Sequence, residues 1–259
     1  MTLKKIVPFE ISYKTVNTLN SIASVFLYLS TFLSLIISGL DYLTNVGSLK
    51  TFLITLNSIS IVLFVFFDAR ASYIFTKAEF KRRLDYMDNS FGINFSGKRS
   101  QSYFTNDNVS PGFYKLCVNC FENSYHTDFI ISKMFPKVLF QTLIIVLLFI
   151  ISAYFGNREI VRMFFELILP LVLIQKLIKM IFFTTKISNV LNSFKLLFND
   201  LMSLKIEDKM PDALRDILEY ETTLSWASMP LETKIFNTYQ TQLASDWDEL
   251  KKEYNIKVE

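Results

Sequence analysis

The sequence predicts an all-α membrane protein: four transmembrane helices arranged as two hairpins, with a cytosolic helical insert between them and a cytosolic helical region after them. Three observations carry that expectation. The 259 residues are 51% hydrophobic, with 26 Phe against six Gly, and such an excess of apolar surface has to be buried in something. The apolar residues gather in four runs, each close to the roughly 20 residues that cross a ~30 Å hydrocarbon core. Lys and Arg collect beside the ends of those runs, where they bias orientation.

Residues 1–21 form an N-terminal segment expected in the cytosol. Lys4 and Lys5 are followed by Pro8 and Glu10, and no small-residue cleavage site follows the first apolar run, so that run is expected to stay in the mature chain rather than act as a secretory signal. The first hairpin is expected over residues 22–67. Residues 22–40 carry no charge, and Ser30, Ser34 and Ser38 recur every fourth position, which places them on one stripe where helix backbones can approach. Residues 41–50 make a short polar connection. A second uncharged run follows over residues 52–67, with Asn57 near its middle. An amide at membrane depth needs a partner, so Asn57 is expected to face the first helix or another subunit.

Residues 68–137 form the expected cytosolic insert. Arg70, Lys77, Lys81, Arg82 and Arg83 follow the second run, whereas the preceding connection offers only Lys50; the positive-inside bias then sets the insert and both termini on the cytoplasmic side of a bacterial inner membrane. The second hairpin is expected over residues 138–183, entered through Pro136 and Lys137 and turned by residues 156–159. Its last run carries Arg162, Glu166 and Pro170. Glu166 is too deep to snorkel, so it either pairs with Arg162 one turn earlier or faces a pore or subunit interface, and Pro170 is expected to break the ladder beside it. Residues 184–259 are helical by period but too polar to span a bilayer. Pro211 opens one helix, with Leu214, Ile217, Leu218 and Leu224 as its apolar side. Ser228 is placed to cap a last helix bearing Ile235, Leu243, Trp247 and Leu250.

Charge and motifs exclude several classes of function. Residues 68–137 hold ten Lys/Arg against seven Asp/Glu, and residues 184–259 hold nine against thirteen, so no broad basic face argues for nucleic acid as a partner. There is no Walker-type loop, dinucleotide fingerprint or nucleophile elbow, and no enzymatic activity, catalytic residue or cofactor is expected. Cys117 and Cys120 with His126 supply three corners of a zinc tetrahedron, but the chain has no other His or Cys. A helix with Phe113, Leu116, Cys117, Cys120 and Phe121 on one apolar side accounts for the pair without a metal, and no metal site is assigned.

The insert is the richest stretch. Asp85, Asp88, Asn89 and Phe91 precede Gly92, Lys98 and Arg99 follow, and Glu122, Asn123 and His126 come later. Such hydrogen-bonding capacity interleaved with aromatics can hold a small polar ligand, with Lys98, Arg99 or Arg83 on phosphate. The same residues can equally cap and tie two helices together.

The order of parts, together with residues 80–92 (Asp85 and Phe91-Gly92 above all) and residues 120–123, resembles the SMODS-associated four-transmembrane effectors of bacterial second-messenger antiphage defence. The resemblance implies a pore-forming effector that permeabilises the inner membrane when a cyclic nucleotide made by a partner synthase arrives. Four spans are too few for a roomy single-chain channel, so a homo-oligomer in the lipid bilayer is expected, with Ser30, Ser34, Ser38, Asn57 and Glu166 as candidates for the subunit or lumen face. The other classes kept open are a non-conducting membrane-anchored scaffold that recruits a partner through its cytosolic helices, and a small transporter.

Overall fold

A computed structural model describes residues 9–40, 47–97, 100, 105–155 and 160–256; the side chains at 38, 149, 152, 153, 155 and 160–170 lie outside that description. Among the described residues every regular element is a helix and none is a strand. Its helices are α1 (Glu10–Leu40), α2 (Gly47–Phe91), α3 (Phe113–Phe155), α4 (Ile160–Leu201), α5 (Met210–Ala227) and α6 (Thr233–Glu253), with a short 3-10 turn at Ile206–Lys209.

The helices are longer than the apolar runs inside them. At 45 residues α2 is roughly 68 Å long, more than twice a bilayer core. Hydropathy falls at Asp68, but no Gly or Pro stands between Gly47 and Gly92. Most residues of the charged half are good helix formers, so polarity changes while the helix goes on. It stops at Gly92, whose φ of 69° is left-handed. By the same logic α1 begins at Glu10, well before the apolar run at 22. α3 passes through Pro136, and α4 runs on through position 170. Three helices are long and apolar enough to cross a membrane by length and composition: α1 over Glu10–Ile37, α2, and α3 over Phe113–Leu148.

The chain divides into two compact units. One, the hairpin unit, comprises Tyr13–Phe75 and Pro136–Lys179. Within it Tyr13 meets Phe75 edge-on at 6.1 Å and Phe26 stacks on Phe67 at 5.8 Å, so early α1 pairs with late α2 and the two run antiparallel. Leu27, Ile145 and Leu173 form a buried cluster, with Phe64 and Val172 packed against it, and all four long helices thereby contribute to one small core. The outer surface is apolar: Phe32, Phe52, Val62, Phe66, Phe140, Leu147 and Leu171 are exposed.

The other, the core unit, comprises Met1–Ser12, Thr76–Phe135 and Met180–Glu259. Its centre is Phe121 on α3, stacked on Phe198 of α4 at 5.0 Å and meeting Trp247 of α6 edge-on at 5.2 Å. Around them Val118, Ile131, Phe183, Ile187, Val190 and Phe194 are fully buried. Each aromatic pair at such spacing adds about 0.5–1.5 kcal/mol beyond area burial. Pro211 sits in the first turn of α5 as expected. Ser228, however, closes α5 in the left-handed region (φ 45°), donating its N–H to Leu224 O, and does not cap α6, which is preceded by Glu232. The face of α5 is also rotated from the expected one. Ala213, Asp216, Ile217, Tyr220 and Thr223 are buried, whereas Leu214 and Leu218 are exposed.

Candidate functional site

The end of α2, the start of α3 and the loop joining them meet α6 in a dense hydrogen-bonded cluster inside the core unit. Asn119 is its hub. Its Nδ2 donates to Asn89 Oδ1 and Ser90 Oγ, both at 3.0 Å, while its Oδ1 accepts from Asn106 Nδ2 at 2.9 Å. Asn106 donates its second amide hydrogen to Glu122 Oε2 at 2.7 Å and accepts from Trp247 Nε1 at 3.1 Å. Thr105 donates to Glu122 Oε1 at 2.6 Å. These bonds use both amide hydrogens and the oxygen of Asn106 and Asn119, and buried networks satisfied to that degree specify one geometry.

The carboxylates before Gly92 hold the loop. Asp88 accepts from Phe95 N at 2.5 Å, Ser96 N at 2.8 Å and Ser96 Oγ at 2.6 Å, and Asp85 Oδ1 accepts from Ser100 N at 2.6 Å. The sequence folds this way because Gly92 turns the chain back beneath the last turn of α2, bringing loop N–H groups to acids spaced three apart on one face. Gly112 N then donates to Ser90 O at 2.8 Å and leads into α3. Asp85 Oδ2 is buried without a hydrogen-bond partner among the described residues.

Basic groups converge nearby. Arg82 Nη2 donates to both oxygens of Glu221 on α5, at 3.0 and 3.1 Å, and its Nε reaches Glu79 at 3.0 Å. Arg83 Nε reaches Glu221 at 2.6 Å. Two members of the Lys81-Arg82-Arg83 cluster thus fasten α2 to α5. On the inner side of α5, Asp216 is fully buried with Oδ2 unpartnered. Burial raises its carboxyl above the usual range against the opposing pull of the Arg215 guanidinium.

The residues expected to hold a ligand are thus partly gathered and largely engaged. Asp88, Asn89 and Glu122 belong to the cluster or its loop. Arg83 is spent on Glu221. Phe91 and Asn123 are half-buried, and the His126 ring lies 5.9 Å from Tyr125 and 6.2 Å from Phe236. Lys98 and Arg99 lie outside the described residues. Cys117 and Cys120 are free and buried, with the Tyr86 hydroxyl against Cys120 Sγ, and no group of three His, Cys, Asp or Glu side chains gathers as a metal site among the described residues.

Of the residues expected on a lumen or subunit face, three face inward. Ser30 Oγ donates to Asn57 Oδ1 at 2.6 Å, and Asn57 Nδ2 donates to Ser34 Oγ at 3.0 Å. All three are buried within α1 and α2. Their polar atoms find each other before any second subunit is needed, which removes them from the outer surface. The side chains of Ser38 and Glu166 lie outside the described residues.

Sequence reasoning missed Asn119, Asn106 and Glu221 as members of the site, and read Trp247 only as part of the apolar side of the last helix. Asn119 stood in plain view as the spacer of Cys-Val-Asn-Cys. The usable signal was its position three before Glu122, which puts an amide and a carboxylate on one helix face.

Fold and site define a class: an all-helical protein with a polar-clasped helical core unit and apolar helices fit for membrane association. Compared with protein-family models, with curated proteins and with solved structures, the chain matches none.

Proposed function

We propose that the protein is a multi-pass inner-membrane effector that oligomerises and permeabilises the membrane when its core unit receives a cytosolic signal, a cyclic nucleotide of antiphage defence. In this reading all four long helices span, α4 supplying the fourth crossing over residues 160–183, and both termini are cytoplasmic. The observation that carries it is the outward apolar surface of the hairpin unit, built on α2, α3 and α4, the same helices that continue into the core unit. A signal that favours one arrangement of the clasp between α2 and α3 acts on helices that enter the membrane. It does so only to the extent that it binds one arrangement more tightly than the other.

The test is membrane potential, followed with a dye in cells expressing the full chain, with and without phage challenge or added cyclic nucleotides. Depolarisation on challenge is expected. Its absence under every trigger, with the protein present in the membrane, overturns the reading.

A second reading, a non-conducting membrane-anchored scaffold, is favoured by one feature of α5. Met210, Leu214 and Leu218 stand 44–55% exposed at four-residue spacing, a row suited to a partner helix. Co-purification of a partner lost on Leu214→Asp and Leu218→Asp, in cells that never depolarise, would support it.

A further inference from the structure

The core unit turns a small group of large apolar side chains outward. Ile181 and Phe182, at the end of the fourth apolar run, are 43% and 54% exposed, and Trp226 in the last turn of α5 is 47% exposed. The Trp226 ring meets Phe182 edge-on, at 6.4 Å and 89°. The chain's other tryptophan is placed in the opposite way: Trp247 is 1% exposed and its indole N–H is spent on Asn106. An exposed indole in a unit that can bury one calls for an occupant of its own.

Two ties set the level of Trp226 along α4. Lys209, just before α5, binds Asp200 at 2.7 Å, and Trp226 at the other end of α5 meets Phe182. Eighteen positions separate Phe182 from Asp200 and seventeen separate Lys209 from Trp226, which is roughly 27 Å and 26 Å of helix. α5 therefore runs back antiparallel beside α4 and reaches Phe182 only with its last turn. Polarity changes at that level. Asp212, Arg215, Asp216, Glu219 and Glu221 stand earlier along α5, while residues 222–231 carry no charge. On α4 the first charge after Phe182 is Lys186, exposed one turn further on the same side.

We infer that Phe182 and Trp226 form a lipid anchor of the core unit, with the indole at the boundary between acyl chains and headgroups. That boundary suits a ring with an apolar body and a single N–H donor. Lys186 stands one turn further out, where its ammonium reaches lipid phosphate. Size decides against a protein partner. At their observed exposure Ile181, Phe182 and Trp226 offer roughly 300 Å², well under the ~800 Å² that each side of a specific protein interface buries. Position decides for lipid, because Phe182 is the last residue but one of the run over residues 160–183, whose length matches a ~30 Å hydrocarbon core. The anchor deepens the proposed membrane effector by naming the level at which α4 leaves the bilayer and the end of α5 that meets it. It rests on that reading for the bilayer itself.

The chain has two tryptophans, so its own fluorescence tests the anchor. The full chain is reconstituted in phosphatidylcholine–phosphatidylglycerol nanodiscs whose phosphatidylcholine carries bromine near the headgroup end of one acyl chain. Quenching is read against the Trp226→Phe chain, in which the buried Trp247 alone emits. Shallow bromine is expected to quench the Trp226 emission several-fold more than that of Trp247, and bromine at the methyl end of the acyl chain to quench it less. Quenching of Trp226 by aqueous iodide but not by brominated lipid puts water over it and overturns the anchor. Quenching by neither makes protein its cover and overturns the anchor as well. Should Trp226→Phe fail to fold, Trp247→Phe isolates the Trp226 emission directly, with the same outcomes. Phe32→Trp in the Trp226→Phe chain separates the anchor from the reading beneath it, since Phe32 is exposed on the hairpin unit. Bromine quenching at position 32 but not at Trp226 leaves a membrane protein without this anchor, and quenching at neither removes both claims.

Discussion

The hairpin unit and the core unit turn different residues outward. The hairpin unit keeps Ser30, Ser34, Asn57, Ser60 and Thr142 inside and turns Phe, Val and Leu outward. The core unit encloses Phe121, Phe194, Phe198 and Trp247 and leaves Lys234, Asp248 and Lys252 exposed. Helices α2, α3 and α4 contribute to both, so the outward face changes along single helices, as it does at Asp68 of α2. Where water is outside, burying apolar area drives packing. Where hydrocarbon is outside that drive vanishes, and close backbone approach with interhelical hydrogen bonds is what remains.

This contrast can be broken in four places. The largest effect is expected from Trp247→Ala, which empties the space beside Phe121 and strands Asn106. Loss of about 3–5 kcal/mol is expected in thermal or denaturant unfolding of the purified chain, and a change under 1 kcal/mol would deny α6 its place in the core. Asn119→Ala comes next. It leaves Asn106, Asn89 and Ser90 short of partners in a buried site, at about 2–3 kcal/mol. Asn57→Ala cuts the equivalent polar link of the hairpin unit, and membrane hydrogen bonds are weaker, so about 1 kcal/mol is expected. If the Asn57 variant proves more damaging than the Asn119 variant on the same unfolding assay, the ranking of the two environments is wrong.

The smallest effect concerns pH. The folded-state pKa of Asp216 is raised by burial, so folding disfavours its charged form. Its penalty is absent below the unfolded carboxyl value, about 3.9, and grows as pH rises from there through the raised folded value. Asp216→Asn keeps the acceptor for Arg215 and removes the charge. It is expected to flatten the fall in melting temperature across that window and to shift stability at neutral pH upward by less than about 1 kcal/mol. An unchanged pH profile would place the titration elsewhere.

Much of the element order was legible and much of the packing was not. Gly92 and Pro211 mark ends because each forces a backbone state, and such punctuation survives any tertiary context. The Ser30–Ser34 stripe was legible because small polar residues at fourfold spacing on an apolar helix have few other uses. Asp68 ends the second apolar run but not the helix, because the charged residues that follow are good helix formers. The buried face of α5 was illegible for another reason. Its period admits both the Leu214 side and the Ile217 side, and only the partners, which bury Ala213 and Tyr220 instead, decide between them. The Asn119 hub could not be read from spacing alone, since Asn106 and Trp247 come from parts of the chain 13 residues before it and 128 after it.

That long-range join sets the order in which the protein can be made. Trp247 bonds Asn106 across 141 positions, and the segments between them include all of α3, α4 and α5. At about 5–20 residues per second, the clasp waits roughly 7–28 s for its last member. Through that interval α1 and α2 are already synthesised, and Asn57 already has Ser30 and Ser34 within reach. The hairpin can therefore settle before the core unit is complete, and a chain cut short before α6 carries its apolar helices without a finished aromatic core.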